Sequence, residues 1–123
     1  MSNVKAALDI IAAKAPGFKA EVALVLGSGL GGVVDAVSDA IGSVSVAVMQ
    51  GRAHYYEHGR SDLMNEPLET LRELGADRLI LTNAAGSLVP EATPGNLMLI
   101  IDHISLFGPN PLIGYQGDDR FVG

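Results

Sequence analysis

Apolar positions at the start of the chain recur with the period of an α-helix. Val4, Leu8, Ile11 and Ala15 are spaced three or four residues apart, so a helix places them on one face. Pro16 follows at once and cannot continue the helix, because it lacks a backbone N–H and clashes with the preceding turn. The pattern predicts an N-terminal helix that ends before Pro16.

Further along, short apolar runs alternate with longer amphipathic segments. The short runs are rich in β-branched residues or alternate with period two, as is typical of strands. They comprise residues 21–26, 43–49, 78–82 and 96–102. The longer segments, residues 30–41 and 62–75, predict helices, with Pro67 in or near the first turns of the second and Gly75 at its end. Strands that alternate with helices predict an α/β fold with a parallel sheet.

Composition limits the class of protein. The chain has 123 residues, of which 48% are hydrophobic and 18% charged, so we expect one globular domain with a modest core. A net charge of −6 does not favour binding to nucleic acid or to an anionic membrane. The absence of cysteine excludes disulfides and thiolate zinc sites. No apolar stretch is as long as a membrane span and the N-terminus is a poor signal peptide, so we expect a soluble cytoplasmic protein.

A glycine-rich turn, LVLGSGLGG at residues 24–32, follows the first predicted strand. Glycine allows positive φ and lets the backbone approach a ligand closely. The helix predicted to follow directs its free N–H groups and the positive end of its dipole toward the turn. An oxyanion such as phosphate fits this arrangement, and the Ser28 hydroxyl adds a donor.

Two other interpretations of this turn stay open. Gly27, Gly29 and Gly32 form the G-x-G-x-x-G pattern of dinucleotide-binding folds. Such folds use an Asp or Glu at the end of the second strand to hold a ribose hydroxyl. Here that strand ends in MQGR without an acid, although Arg52 could contact the 2′-phosphate of NADP. Alternatively, the glycines serve only the packing of a tight strand–helix turn.

The stretch GRAHYYEHG, residues 51–59, places polar and aromatic side chains after the second predicted strand. His54, Glu57 and His58 have the H-x-x-E-H spacing of a zinc protease, but glycines bracket only seven residues, too few for the helix that a zinc site needs. A polar loop at the carboxyl end of a strand is the other interpretation, since α/β proteins bind ligands there. Arg52 then offers a bidentate fork to an oxyanion and His54 a donor. A solvated loop without function is the plainer alternative.

The third predicted strand ends in a stretch of small residues, LTNAAGS at 81–87. Alanine and glycine leave backbone N–H groups open and make room for a flat ring. An ordinary connection between a strand and a helix accounts for the same residues.

Four blocks of the sequence together resemble the purine nucleoside phosphorylase family. They are LGSGLGG, MQGRAHYYE, LTNAAGSL and the run from PGNLMLIIDHIS through GPNPLIG to DDRF. Their order and their strand-end positions match the homotrimeric branch, which prefers 6-oxopurine nucleosides. The resemblance implies a mixed, mainly parallel central sheet flanked by helices, as in nucleoside phosphorylases but incomplete.

The resemblance also implies an activity. Family members cleave purine nucleosides such as inosine and guanosine with inorganic phosphate, giving the free base and ribose 1-phosphate in purine salvage. Phosphate is the co-substrate, and neither a cofactor nor a metal is implied. The implied partners are the nucleoside, phosphate and further copies of the chain in a homotrimer. A fixed phosphate dianion stabilises the oxocarbenium-like charge that develops on ribose as the glycosidic bond lengthens.

Single residues carry this resemblance to the phosphate site. Ser28, Arg52 and His54 resemble the family's phosphate-binding serine, arginine and histidine. Ala84 resembles the residue whose N–H meets phosphate, and Glu57 the glutamate that supports the phosphate site. The resemblance implies catalytic roles for His54 and Glu57.

The nucleoside site is implied in the same way. Tyr56 resembles the tyrosine near the ribose, and Ala85 and Gly86 resemble the floor of the base pocket. Phe121 resembles the phenylalanine that is lent to the sugar site of the neighbouring subunit.

The sequence also departs from the family. Family members are much longer, with strands and a loop between the segments SDAI and GSVSVAVMQ and a second half that reads the purine. We therefore expect residues 1–123 to form a single α/β domain that is part of a larger phosphorylase fold. Two alternatives to an active phosphorylase remain: a catalytically inactive fragment, and an NADP-type dinucleotide-binding module.

Overall fold

The computed structural model describes residues 3–27, 29–34, 43–104, 106, 108–114 and 116. In chain order, these residues form α1 (Asn3–Lys14), β1 (Val22–Val25), β2 (Val46–Met49), α2 (Tyr55–His58), α3 (Asn65–Glu73) and β3 (Arg78–Leu81). Each follows from the local sequence: α1 ends just before the Ala15–Pro16 pair, and α3 ends ahead of Gly75, which has a φ of 108°. None of the helices in the described ranges is long and apolar enough to cross a membrane.

The three strands form a parallel sheet in the order β2-β1-β3. Val22 of β1 lies opposite Val46 of β2 and Arg78 of β3, and Val25 lies opposite Met49 and Leu81. Since β1 has a hydrogen-bonded neighbour on each side, it requires an apolar run and is the most buried strand. All pairings described are parallel, which confirms the α/β class expected from alternating strands and helices.

The core lies between one face of the sheet and α3. Ala23 and Val25 point to this face and contact Leu71 of α3, and all three side chains are buried. Half-buried apolar side chains surround them: Ala47, Met49, Met64, Leu68 and Ala76. Because successive side chains of a strand point to opposite faces, the buried Leu24 belongs to the other face.

Hydrogen bonds join α1 to α3, and join the end of α3 and the chain after it to the start of β1. The Asn3 side-chain amide donates to both carboxylate oxygens of Glu66, at 2.9 and 3.0 Å, and so joins the N-termini of the two helices. The backbone N–H of Ala20, just before β1, donates to the carbonyl of Leu74 at 3.0 Å. That of Asp77 donates to Glu21 at 3.2 Å. These bonds set the amino end of the sheet and leave its carboxyl end for other segments.

The fourth predicted strand, residues 96–102, is wrong. The segment is not hydrogen-bonded into the sheet, and Leu97 to Ile101 are between 57% and 102% exposed. An apolar run indicates that burial of the segment is favourable, but it does not identify the surface that would cover the segment. The side chains Leu79, Ile80 and Leu81 of β3 are also exposed, and because they alternate between the two faces, the described residues leave both faces of β3 uncovered.

The strands predicted at 21–26, 43–49 and 78–82 and the helix predicted at 62–75 differ from the structure only at their ends. The strand expected at 43–49 begins at Val46, and the helix expected at 62–75 extends from Asn65 to Glu73. Of the helix expected at 30–41, residues 30–32 are not helical, Val33 and Val34 are helical, and residues 35–41 lie outside the described residues.

Candidate functional site

The carboxyl ends of β1 and β2 form a cleft of about 400 Å³, here named the strand-end cleft. Its lining includes Gly27, Gly29 and Gly31 from the turn after β1 and Gly51, Arg52, His54, Tyr56 and Glu57 from the segment after β2. Two of the three stretches singled out from sequence therefore meet at the edge of a parallel sheet where α/β proteins bind ligands.

The first glycine of the turn has a packing function. A Cβ atom at Gly27 would lie 2.8 Å from the carbonyl oxygen of Thr82 and 2.9 Å from the Cα of Asn83, both backbone atoms. The buried Gly27 N–H donates to the Thr82 hydroxyl at 2.9 Å. This amide is therefore occupied by the protein itself, and the absence of a side chain at Gly27 lets β3 approach β1.

The later glycines of the turn face open space. Gly29 has a φ of 84°, a conformation that side chains disfavour, and a Cβ at Gly29, Gly31 or Gly32 would meet no atom within 4 Å among the described residues. The turn thus divides into a packed first glycine and an open remainder, where a ligand has room to approach the backbone. Ser28, predicted to bind phosphate, lies outside the described residues.

Arg52 reaches across the cleft from β2 to β3. Its Nη1 donates to the carbonyl oxygen of Thr82 at 2.7 Å, and its side chain is half-buried. A guanidinium has five N–H donors in a fixed plane. One bond to Thr82 fixes that plane and leaves further donors for an anion in the cleft.

The segment after Arg52 forms a single helical turn, α2, that begins after His54. Glu57 folds back so that its Oε2 accepts the backbone N–H of His54 at 2.9 Å, one half of a capping box. Gly59, with a φ of 66°, ends the turn in the left-handed conformation and donates to the Tyr55 carbonyl at 2.7 Å. The rings of His54 and Tyr56 stack with centroids 5.0 Å apart.

These contacts give each side chain of the segment a different environment. His54 is half-buried, whereas Tyr56 is 80% exposed and offers a free ring face at the mouth of the cleft. Glu57 adds a carboxylate to the lining of the same cleft, and one of its oxygens accepts the His54 backbone N–H. The arrangement suits an anion inside the cleft and an apolar or sugar ring at its mouth, next to Tyr56.

The zinc interpretation of His54, Glu57 and His58 has no support in the geometry. His54 precedes α2 in extended backbone, with φ −107° and ψ 145°, and the helix has only four residues. Within the part of the chain that the structure describes, His, Asp and Glu form no group of three or more that could hold a metal ion.

The small residues after β3 lie at the same edge of the sheet but do not line the strand-end cleft. Ala84, Ala85 and Gly86 follow Thr82 and Asn83 and are exposed. Their backbone N–H groups are absent from the hydrogen bonds among described residues. The structure thus brings Arg52, His54, Tyr56 and Glu57 together with the glycine turn, and places Ala84–Gly86 beside them. Phe121 lies outside the described residues.

Sequence reasoning did not single out Thr82, which contacts Gly27 and Arg52 at once. The available signal was a polar residue at the end of the apolar run RLILT, immediately before the small residues.

One exposed ion pair next to the segment shifts the pKa of both its partners. Arg60, after α2, contacts the Asp62 carboxylate at 2.6 Å, and this hydrogen bond lowers the pKa of Asp62 and raises the pKa of Arg60. Both side chains are exposed and neither lines the strand-end cleft, so the pair is a feature of the connection to α3.

The chain belongs to the phosphorylase superfamily, whose family model matches residues 4–123. This match takes in almost the whole sequence, including the glycine turn and the segment after β2.

Its relatives include purine nucleoside phosphorylases. Purine nucleoside phosphorylase 1 from Geobacillus stearothermophilus is 37% identical over 121 residues, which covers 76% of this chain and 44% of the relative. Purine nucleoside phosphorylase from Bos taurus is 34% identical over 131 residues, which covers 82% of this chain and 45% of the relative. The chain thus spans less than half the length of these relatives. The resemblance to this family inferred from the four sequence blocks is confirmed.

The bovine alignment also shows a difference inside the matched region. Its 131 positions exceed the 123 residues of this chain, so the bovine protein has residues there without a counterpart here. This agrees with the expectation that a segment present in the family is absent from this sequence.

A solved structure shares the fold. It is described as the crystal structure of purine nucleoside phosphorylase in complex with ribose 1-phosphate, and it superposes with a TM-score of 0.60 at 29% identity. The superposition covers 74% of this chain and 43% of the other. The three-stranded parallel sheet with its helices is therefore an incomplete version of the nucleoside phosphorylase fold.

Proposed function

We propose that the chain carries the phosphate-binding part of a purine nucleoside phosphorylase, a pentosyltransferase. In this reaction a phosphate oxygen forms a bond to C1′ of ribose while the bond from C1′ to the purine nitrogen breaks. The purine nitrogen takes the electron pair and, overall, the proton that hydrogen phosphate loses, and the products are free base and ribose 1-phosphate. The observation that carries the proposal is the convergence of the open glycines and Arg52 in one strand-end cleft of a phosphorylase-superfamily chain.

Phosphate is held from two sides in this proposal. Amides of the turn beyond Gly27 bind from below, together with the Ser28 hydroxyl, and the Ala84 N–H approaches from the end of β3. Arg52 and His54 donate from the other side, at the wall of the cleft formed by the segment after β2. Since phosphate is itself the nucleophile, the protein has to position it and needs neither a cofactor nor a metal.

The chemistry is electrostatic. As the glycosidic bond lengthens, ribose gains oxocarbenium-like positive charge, and a fixed phosphate dianion beneath the ring stabilises that charge. His54 keeps a donor on phosphate through this step. Glu57 supports the phosphate site indirectly, because its hydrogen bond to the His54 backbone fixes the backbone from which the imidazole extends.

The nucleoside lies above the anion. The exposed ring face of Tyr56 contacts the ribose, and the open space beside Ala85 and Gly86 accepts the flat purine. Phe121 closes the sugar site of a neighbouring subunit, and the assembly is a homotrimer, as the resemblance to the family implies. Residues 1–123 act as one α/β domain of a larger phosphorylase fold, in line with a coverage of under half of each relative. The setting is purine salvage in the cytoplasm.

A coupled assay on the purified chain tests this function. Inosine is supplied with and without phosphate, and released hypoxanthine is converted to uric acid and followed by absorbance. Turnover that requires phosphate identifies an active phosphorylase. In parallel, thermal unfolding is measured with phosphate plus inosine or with NADP, since a ligand that binds the native state raises the transition temperature. Protection by the first pair without turnover identifies an inactive phosphorylase fragment. Protection by NADP alone rejects the proposal in favour of a dinucleotide-binding module.

A further inference from the structure

Thr82 is the first residue after β3, and it contacts all three segments that meet at the carboxyl end of the sheet. Its backbone N–H donates to the carbonyl of Val25 at 3.0 Å, and its hydroxyl donates to the same oxygen at 3.3 Å. The hydroxyl also accepts the Gly27 N–H at 2.9 Å. Its carbonyl accepts Nη1 of Arg52 at 2.7 Å. One half-buried residue thus connects β1, the glycine turn and the segment after β2.

The hydroxyl is the part of this arrangement that only serine or threonine supplies. It accepts one hydrogen bond and donates another at the same time, which a valine of the same shape cannot do. Gly27 is buried, so loss of the acceptor leaves its N–H without a partner, and a structure relaxes to avoid this. The available relaxation is a shift of the turn relative to Thr82, the residue whose carbonyl holds Arg52.

We propose that Thr82 is a positioning residue for the anion site. Its hydroxyl fixes the start of the glycine turn and its carbonyl fixes the plane of the Arg52 guanidinium. The open amides of the turn and the free donors of Arg52 therefore face the same point in the strand-end cleft. Thr82 itself contacts no substrate. The inference rests on the proposed function for the identity of the anion, inorganic phosphate, but the positioning is a property of the protein alone.

Three variants of the full chain separate this role from a general effect on stability. Thr82→Val keeps the shape and removes the hydroxyl, whereas Thr82→Ser keeps the hydroxyl. Thr70→Val is the matched control, because the Thr70 hydroxyl also donates to a backbone carbonyl, that of Glu66 at 2.8 Å, and Thr70 is buried on α3 away from the cleft.

Three quantities are measured on each variant by NMR: the dissociation constant for inorganic phosphate, the exchange rate of the Gly27 amide and the position of the Arg52 Nε–H resonance. We expect Thr82→Val to weaken phosphate binding about tenfold, the equivalent of one hydrogen bond. We also expect faster Gly27 exchange and a displaced Arg52 resonance. Thr82→Ser restores all three readings, and Thr70→Val leaves them unchanged even where it lowers the unfolding temperature.

The outcomes are distinct for the two proposals. Equal phosphate affinity in wild type and Thr82→Val overturns the positioning role. If wild type binds no phosphate, the proposed function fails, and the positioning role is then decided by the Gly27 and Arg52 signals, whose constancy in Thr82→Val overturns it. If Thr82→Val does not fold, Thr82→Ser decides, because a tenfold loss of phosphate affinity with the hydroxyl retained overturns the inference.

Discussion

Gly27 and Thr82 are in backbone-to-backbone contact, with the position of a Gly27 Cβ only 2.8 Å from the Thr82 carbonyl oxygen. The contact joins the ends of β1 and β3, since the Gly27 N–H also donates to the Thr82 hydroxyl. The first glycine of the motif is therefore a requirement of the sheet, and only the later glycines are available to a ligand.

The contact predicts that Gly27→Ala is destabilising. The methyl group would meet the rigid backbone atoms of Thr82 and Asn83, so we expect a loss of about 1–3 kcal/mol, as for other overpacked sites. Urea denaturation measures it. Gly32→Ala is the control, because a Cβ there meets nothing within 4 Å among the described residues and Gly32 does not have a positive φ. Equal midpoints for the two variants would contradict the contact.

The core predicts a second effect on stability. Leu71 of α3 is buried against Ala23 and Val25, so Leu71→Ala removes contacts from both the helix and the central strand. We expect a cost of about 2–5 kcal/mol from lost burial and the cavity that remains. Leu97→Ala makes the same chemical change at a side chain that is fully exposed, and there we expect less than about 0.5 kcal/mol. Similar costs at both positions would show that residues 96–102 are packed after all.

Gly59 predicts a third effect, on the segment that carries His54 and Glu57. Its φ of 66° is the left-handed conformation that ends α2, and alanine there costs about 1–2 kcal/mol. Gly59→Asn is better tolerated, since asparagine visits this conformation more readily. Thermal unfolding of both variants measures the difference. An alanine variant as stable as the asparagine variant would place the end of α2 elsewhere.

The Arg60–Asp62 pair predicts a dependence on pH. The hydrogen bond from Arg60 lowers the pKa of Asp62. The stabilising contribution of this bond is therefore complete at pH values above the pKa of the aspartate in the unfolded chain. The contribution is lost as pH falls through the lower value in the folded chain. The pair is solvent-exposed, so we expect a small effect, best measured as the carboxyl titration of Asp62 by NMR. Arg60→Gln should raise that pKa, whereas Arg78→Gln, whose partner is Asp77, should leave it unchanged.

Sequence patterns predicted the helices and strands that are determined by local signals in the chain. The helix before Pro16, the central strand VALV and the helix that ends ahead of Gly75 are all present, because period, β-branching and glycine act over a few residues. The prediction for residues 96–102 was wrong, since the same apolar signal depends on a covering surface that sequence does not identify. Strand ends differ for a related reason, because pairing and not composition decides where a ladder stops.

The candidate site was predictable in part. The strand-end rule indicated that the glycine turn and the segment after β2 would meet, and they line one cleft. It was not predictable that the first glycine of the turn would pack against β3 while the later glycines stay open to a ligand. Packing at Gly27 depends on how closely β3 approaches. The contacts of Thr82 with Gly27 and Val25 join residues 55 and 57 positions apart, and its contact with Arg52 joins residues 30 apart. Such long-range contacts leave no periodic signal.

Arg52 predicts the largest effect on ligand binding. Its guanidinium is half-buried and fixed by Thr82, so its remaining donors are pre-oriented toward the strand-end cleft. We expect Arg52→Ala to weaken phosphate binding by about 10- to 100-fold, the usual range for hydrogen bonds to a charged group. Arg52→Lys should fall between, because a lysine keeps the charge but loses the planar fork.

Calorimetric titration with inorganic phosphate measures these affinities, and Arg78→Ala is the matched control. Arg78 begins β3 at the opposite end of the sheet and is exposed in its pair with Asp77, so its loss removes the same charge without touching the cleft. We expect Arg78→Ala to bind phosphate like wild type. If the two alanine variants lose affinity equally, the attraction is a matter of net charge, and Arg52 does not hold the anion through a defined site.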